Sequence, residues 1–145
     1  IQKTLYPAIG NISDETYIGT VTSGGISSGT IIMITPHIPV RAHHLVQITA
    51  DITILINIGS YLSKRFIINA DMFGNPATMI GSTYNSIYSN GDISSYINDN
   101  DIDFGITYFS AEGENQFYIS VTPHAAISTS IDILCNITCK GYSHS

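Results

Sequence analysis

Leu45-Val46-Gln47-Ile48-Thr49-Ala50-Asp51-Ile52-Thr53-Ile54 decides the fold, because an apolar residue falls on every even position and Gln, Thr or Asp separates each from the next. A period of two gathers the even side chains on one face of a pleated strand, whereas a helix would scatter them round its axis. Ile32 and Ile34, Phe66 and Ile68, Ile119 and Val121, and Ile131 and Ile133 repeat the spacing. These eight, with Val46, Ile48, Ile52 and Ile54, are expected to point into one core.

Thr35-Pro36-His37 recurs as Thr122-Pro123-His124. The first copy follows the apolar run Ile31-Ile32-Met33-Ile34, and the second follows Phe117-Tyr118-Ile119-Ser120-Val121. Each is followed by a polar connector and a further strand-like run, residues 45–54 and 131–138, so one hairpin-like device is expected twice. Along the chain the pattern predicts about eight strands: residues 17–22, 29–35, 45–58, 64–69, 78–82, 104–109, 117–122 and 130–140. The run 45–58 is long enough to bend or to cross between sheets. Turn chemistry separates the runs at Thr22-Ser23-Gly24-Gly25, Phe73-Gly74-Asn75-Pro76, Ser89-Asn90-Gly91-Asp92 and Glu112-Gly113-Glu114-Asn115. The expected fold is all-β, an antiparallel β-sandwich or jelly roll of about eight strands. It forms a single domain over residues 1–145, with 1–16 as an N-terminal connecting segment.

Composition supports one core and an unusual surface. The 145 residues suit one domain, and 43% are hydrophobic, with β-branched Ile, favourable on a pleated surface, supplying most of the interior. Only 11% are charged, against about 25% in an ordinary soluble domain. Ser, Thr, Asn, Gly and nine Tyr must therefore cover the outside. A surface so poor in charge favours assembly, and a homotrimer is expected, with a dimer as runner-up. The net charge of -6 and the few basic residues, Lys3, Arg41, Lys64, Arg65 and Lys140, exclude a phosphate-binding patch and hence a nucleic-acid partner. No apolar stretch reaches the roughly 18 to 20 residues of a spanning helix, so a soluble chain without membrane insertion is expected. Ile1 in place of Met suggests a processed product or excised fragment, and residues 1–4 lack a signal-peptide pattern.

Residues 82–103 break the strand rhythm, and a loop of that length in a compact domain is usually functional or disordered. Its tyrosines argue against disorder. Tyr84, Tyr88 and Tyr96 stand among Asn90, Asp92 and other short polar residues, a mixture suited to stacking on sugar rings and bonding their hydroxyls. Tyr84, Tyr88, Asn90, Asp92 and Tyr96 are the expected ligand-binding residues; the plainer alternative is a loop packed on the sheet by its own aromatics.

Other chemistry is thinner. Asp99, Asp101 and Asp103 have the spacing of a calcium loop, but Phe104 stands where such a loop needs Gly and Ser110 where it needs Glu. His37, His124 and the His43-His44 pair could meet if the two hairpins are neighbours, although a His after Pro at a strand end is commonly an exposed turn residue. Cys135 and Cys139 lie about 13 Å apart along a strand, beyond disulfide reach, and are expected to be free buried thiols. No metal and no cofactor are expected. The chain has no nucleophile elbow, phosphate loop or zinc-protease helix, and Asp51, Asp71 and Asp132 are expected to find salt or solvent partners, so it is expected not to be an enzyme. Asn11-Ile12-Ser13 and Asn136-Ile137-Thr138 match the glycosylation pattern, the second inside a strand expected to be buried.

The Ile/Thr/Ser/Asn/Tyr-rich strands, the few Lys and Arg, the opening Tyr17-Ile18-Gly19-Thr20-Val21 and Ile31-Ile32-Met33-Ile34-Thr35, the late strand Phe117-Tyr118-Ile119-Ser120-Val121 and the ending Cys139-Lys140-Gly141-Tyr142-Ser143 resemble the C-terminal, knob-like β-sandwich modules of phage tail or head fibres. More distantly they resemble the trimeric jelly rolls of the tumour-necrosis-factor and complement-globular-head type. The resemblance implies a homotrimeric, non-enzymatic module on the virion surface, or otherwise extracellular, that contacts other virion proteins and binds a host-cell glycan or protein receptor. A purely structural virion or assembly protein with no ligand of its own is the alternative.

Overall fold

The structure, a computed structural model, describes residues 12–21, 26–40, 44–74, 77–109 and 114–143. The Thr22-Ser23-Gly24-Gly25 turn, Arg41, His43, Asn11 of the first sequon, Ser110, the Glu112-Gly113 turn residues and the first eleven residues of the connecting segment lie outside them. The described residues build an all-β, antiparallel sandwich of nine strands: β1 Ile12–Val21, β2 Ile32–Met33, β3 Ile38–Val40, β4 His44–Asn57, β5 Tyr61–Gly74, β6 Ala77–Asn90, β7 Ile102–Phe109, β8 Glu114–Val121 and β9 Ile131–Ser143. One sheet has the order β1-β9-β4-β5-β6. In the other, β2 and β3 lie end to end along one side of β8, and β7 pairs with its other side.

All twelve side chains expected to face inward are buried. Even positions of β4 and β5 and odd positions of β8 and β9 form the facing layers, joined by Ile56, Met72, Phe117, Ile137 and the free thiols Cys135 and Cys139. The register of each pair sets which parity is buried: Ile52 stands opposite both Phe66 and Cys135, so one row of the sheet buries all three.

Four expectations need correction. The run 45–58 neither bends into nor crosses to the second sheet, because β4 pairs without a break with β5 and with β9. The run 29–35 contributes only the two-residue β2, while those at 64–69 and 78–82 grow into the fourteen-residue β5 and β6. The second sequon is not buried: Asn136 and Thr138 are exposed on the outer face of β9, whose odd positions alone point inward. Apart from these corrections, residues 12–16 pair with β9 as part of β1.

The fourth correction concerns the repeated Thr-Pro-His, which marks no hairpin. The first copy interrupts the strand that would otherwise run from β2 into β3, because Pro36 has no N–H for the ladder. Thr35, fully buried, bridges the gap: the Ile119 N–H donates to Thr35 Oγ1 at 3.0 Å, and that hydroxyl donates to the Pro36 carbonyl at 3.0 Å. The second copy ends β8, and the chain then passes to the other sheet as β9. After each copy the next long strand lies in the large sheet, where β4 and β9 are neighbours. Only the second copy stands at a sheet-to-sheet crossing; the first lies within the small sheet, between β2 and β3.

Candidate functional site

Between the edge strand β6 of the large sheet and the edge strand β7 of the small one, the sandwich is closed by residues 91–101. This segment is irregular but tied down. It contains two single-turn 3-10 helices, Ile93–Ser95 and Asp99–Asp101, and roots itself in the core through the buried Ile93 and Ile97. Asn98 caps the second turn: its side chain accepts from the Asn100 N–H, and its own N–H donates to the Asp101 carboxylate at 2.9 Å. Asp101 also holds His124 Nδ1 at 2.6 Å, and the His124 N–H donates to the Tyr96 carbonyl at 2.9 Å. The second Thr-Pro-His copy thus anchors the segment.

That anchoring sets Asp99 over the inner face of β5 and β6. Lys64 stands there in phase with Leu62, Phe66 and Ile68, a cation at a core position with a side chain only 5% exposed. Its Nζ reaches Asp99 Oδ1 at 2.9 Å and the hydroxyls of Ser86 and Ser89 at 3.4 Å each. Tyr84, stacked on Phe66 with ring centroids 5.3 Å apart, donates its hydroxyl to the same Asp99 Oδ1 at 2.9 Å. The Lys64 hydrogen bond holds the Asp99 carboxyl below its ordinary value, so it is ionised at neutral pH. Burial, and next the Asp99 carboxylate, push the Tyr84 hydroxyl far above its usual range, so it remains a donor.

Two hollows flank this triad. On one side lies an open cleft of about 520 Å³ bordered by Lys64, Ser86, Ser89, Asn98, Asp99 and Asn100. On the other lies a smaller pocket of about 150 Å³ bordered by Ile68, Ser82, Tyr84, Asp99, Ile102 and Phe104. Asp99 borders both, and Tyr84 borders the smaller one. The larger volume falls within the roughly 300–1,000 Å³ usual for ligand sites; the smaller one does not.

A bulge decides which residues of β6 face this site. Arg65 pairs with Tyr88 but Phe66 pairs with Ser86, so Ile87 is the extra residue and the alternation shifts by one. Ser89 consequently faces Lys64, while Tyr88 stands on the outer face beside Arg65, whose guanidinium grips Asp51 through Nε–Oδ1 at 2.9 Å and Nη2–Oδ2 at 2.6 Å.

Of the five residues expected to bind a ligand, the structure places Tyr84 at the site and disperses the rest. Tyr88 is on the opposite face of the sheet, Asn90 ends β6 opposite Ser63, Asp92 is exposed ahead of the first 3-10 turn, and Tyr96 is half-buried against the core. The expected loop is itself half strand, since β6 runs to Asn90. The three aspartates diverge: Asp99 to Lys64 and Tyr84, Asp101 to Asn98 and His124, and Asp103 to the Tyr118 hydroxyl at 3.3 Å. The histidines part as well, His37 packing on the Tyr118 ring and His124 on Asp101. Lys64 and Asp99 were missed as site residues. The signal for Lys64 was present in its core phase, where a charged residue is almost never buried without a partner.

No protein-family model and no curated protein matches the chain. Among solved structures, the crystal structure of the Acinetobacter baumannii phage AM24 tailspike protein is similar over 92% of this chain, with 9% identity and a TM-score of 0.34. The chain spans 26% of that protein's length. A likeness of this size carries no argument about the site.

Proposed function

We propose that the chain is a non-enzymatic recognition module of a virion-surface or fibre protein, taking a host-cell glycan in the cleft between β6 and the 91–101 segment. The observation that carries this reading is Asp99, an ionised acceptor at the mouth of the cleft, held in place by the buried Lys64 and the Tyr84 hydroxyl. Both of these partners use Oδ1, and among the described residues no side chain donates to Oδ2. A carboxylate oxygen facing a cleft rimmed by Ser and Asn side chains is suited to sugar hydroxyls, and holding it beforehand lowers the ordering cost of binding. The virion-surface setting rests on the Ile/Thr/Ser/Asn/Tyr-rich, charge-poor composition and on the all-β sandwich.

The test is a glycan array probed with the chain and with Tyr84→Phe, which keeps the ring but removes one of the two contacts that hold Asp99. Selective retention that weakens severalfold in Tyr84→Phe supports the reading; uniform background for both chains removes it. One observation favours a purely structural role instead. The edge strand β6 exposes Ile80 (60%) and Ile87 (48%), the two residues at its bulges, and apolar side chains on an unpaired edge suit packing against neighbouring chains.

A further inference from the structure

We infer that the site selects a neutral, N-acetylated glycan, the acetamido group entering the smaller pocket while hydroxyls of the same chain occupy the larger cleft; this rests on the glycan-binding reading above. Charge sets the first half of the inference. Among the described residues, Lys64 is the one cation bordering the two hollows, and Asp99 already neutralises it at 2.9 Å. An acidic sugar would have to displace Asp99 from a buried ammonium, in a chain whose net charge is -6. Hydroxyls need displace nothing.

The second half comes from the shape and lining of the small pocket. At about 150 Å³ it is too small for a pyranose ring with its water, yet roomy for one substituent, since a water's share of liquid volume is about 30 Å³. Its apolar border consists of Ile68, Ile102, Phe104 and the Tyr84 ring, with Phe104 stacked flat on the buried Phe117 at 5.6 Å, 9° between planes. Ser82 and Asp99 supply polar atoms at its edge. An apolar border with a polar edge matches an acetamide, whose methyl is apolar and whose N–H and carbonyl are not. A hydroxymethyl or hydroxyl would strand its polar end against Phe104 and Ile102. Because Asp99 borders both hollows, a ring bridging them keeps its amide N–H near the carboxylate and its other hydroxyls toward Ser86 and Ser89.

Calorimetry of the whole chain with three trisaccharides tests this: tri-N-acetylchitotriose, cellotriose, which shares its linkage and lacks the acetamides, and a trisaccharide of hexuronic acids. The expected order is the acetylated sugar first by at least about fourfold over cellotriose, the factor one buried methyl contributes, with the acidic sugar weakest. Ser82→Leu, a change at an exposed edge position that fills the small pocket, should bring the acetylated sugar down to the level of cellotriose. Equal binding of the two neutral sugars, a preference for the acidic one, or an undiminished preference in Ser82→Leu overturns the inference and leaves glycan recognition standing. Retention of other glycans on the array with none of the three bound overturns it likewise, and an empty array removes both readings together.

Discussion

Lys64 and Asp99 are unequal partners, and the inequality can be measured. Lys64 is buried, whereas Asp99 is 59% exposed and can be solvated without it. Asp99→Ala leaves an ammonium stranded on the core face; with the cleft open to water, the expected loss is about 1 kcal/mol in urea unfolding. Lys64→Met puts an apolar chain of similar length in the same place and is expected to fall within about 0.5 kcal/mol of the parent, while loosening Asp99 and weakening sugar retention. Equal losses for the two variants would contradict this account. Thr35 offers a second residue-scale test. Thr35→Val keeps the shape but leaves the buried Ile119 N–H without an acceptor, so unfolding should become easier by about 1–3 kcal/mol. A third involves Asp51, which its hydrogen bond to Arg65 holds below the ordinary 3.8. A lowered folded value means that the unfolded chain takes up the proton first. The contribution is present above about pH 4 and disappears as pH falls through the lowered value. Asp51→Asn should therefore be less stable than the parent at pH 7, and the gap should narrow in titrations carried below pH 4.

At the scale of elements, β6 does two jobs through one bulge. Its inner face carries Tyr84, Ser86 and Ser89 to Lys64, and its outer face carries Tyr88 to Arg65. Tyr88→Ala is accordingly expected to leave glycan retention unchanged, in contrast to Tyr84→Phe, and a loss of retention in Tyr88→Ala would move the site to the outer face. Removing Ile87 would take out the bulge but leave Ser86, Tyr88 and Ser89 opposite Phe66, Arg65 and Lys64, so each face of β6 would keep its residues. In the small sheet, β7 and β8 are fitted differently. The Tyr118 ring lies across Gly105 so closely that a Cβ there would fall 2.2 Å from Tyr118 Cζ. Gly105→Ala must swing the ring off both His37 and Asp103, and a stability loss of about 1 kcal/mol is expected from the broken hydrogen bond.

For the whole molecule, a charge-poor sandwich with an exposed apolar edge is expected to associate. We propose the homotrimer as its assembled form, and light scattering that gives the 15.7 kDa mass of one chain at micromolar concentration would count against it. Alkaline stability is a property of the shared core. Burial, with a smaller effect of Asp51, pushes the Cys135 thiol up to about 12, so the unfolded chain ionises first as pH rises. Stability is then complete below about pH 9 and declines toward pH 12, with Tyr84 adding to the decline above pH 10. Cys135→Ala should start from a lower stability at pH 7 and decline less steeply.

What the sequence determined by itself was periodic. The even positions of residues 45–54 and their counterparts in β5, β8 and β9 named the core correctly, because a pleat converts alternation into burial wherever one face is covered. The tertiary structure alone decided whatever depends on a count of one. The extra residue at Ile87 determines which tyrosine faces the cleft, and the hydroxyl of Thr35 turns a Pro-broken run into two strands on one edge. The meeting of Asp99 with Lys64, 35 positions apart in sequence, waits on an irregular segment held by a cap and by His124. A bulge, a cap and a crossing each shift the chain by a residue or a sheet without altering its local alternation, and so leave no trace in a pattern of period two.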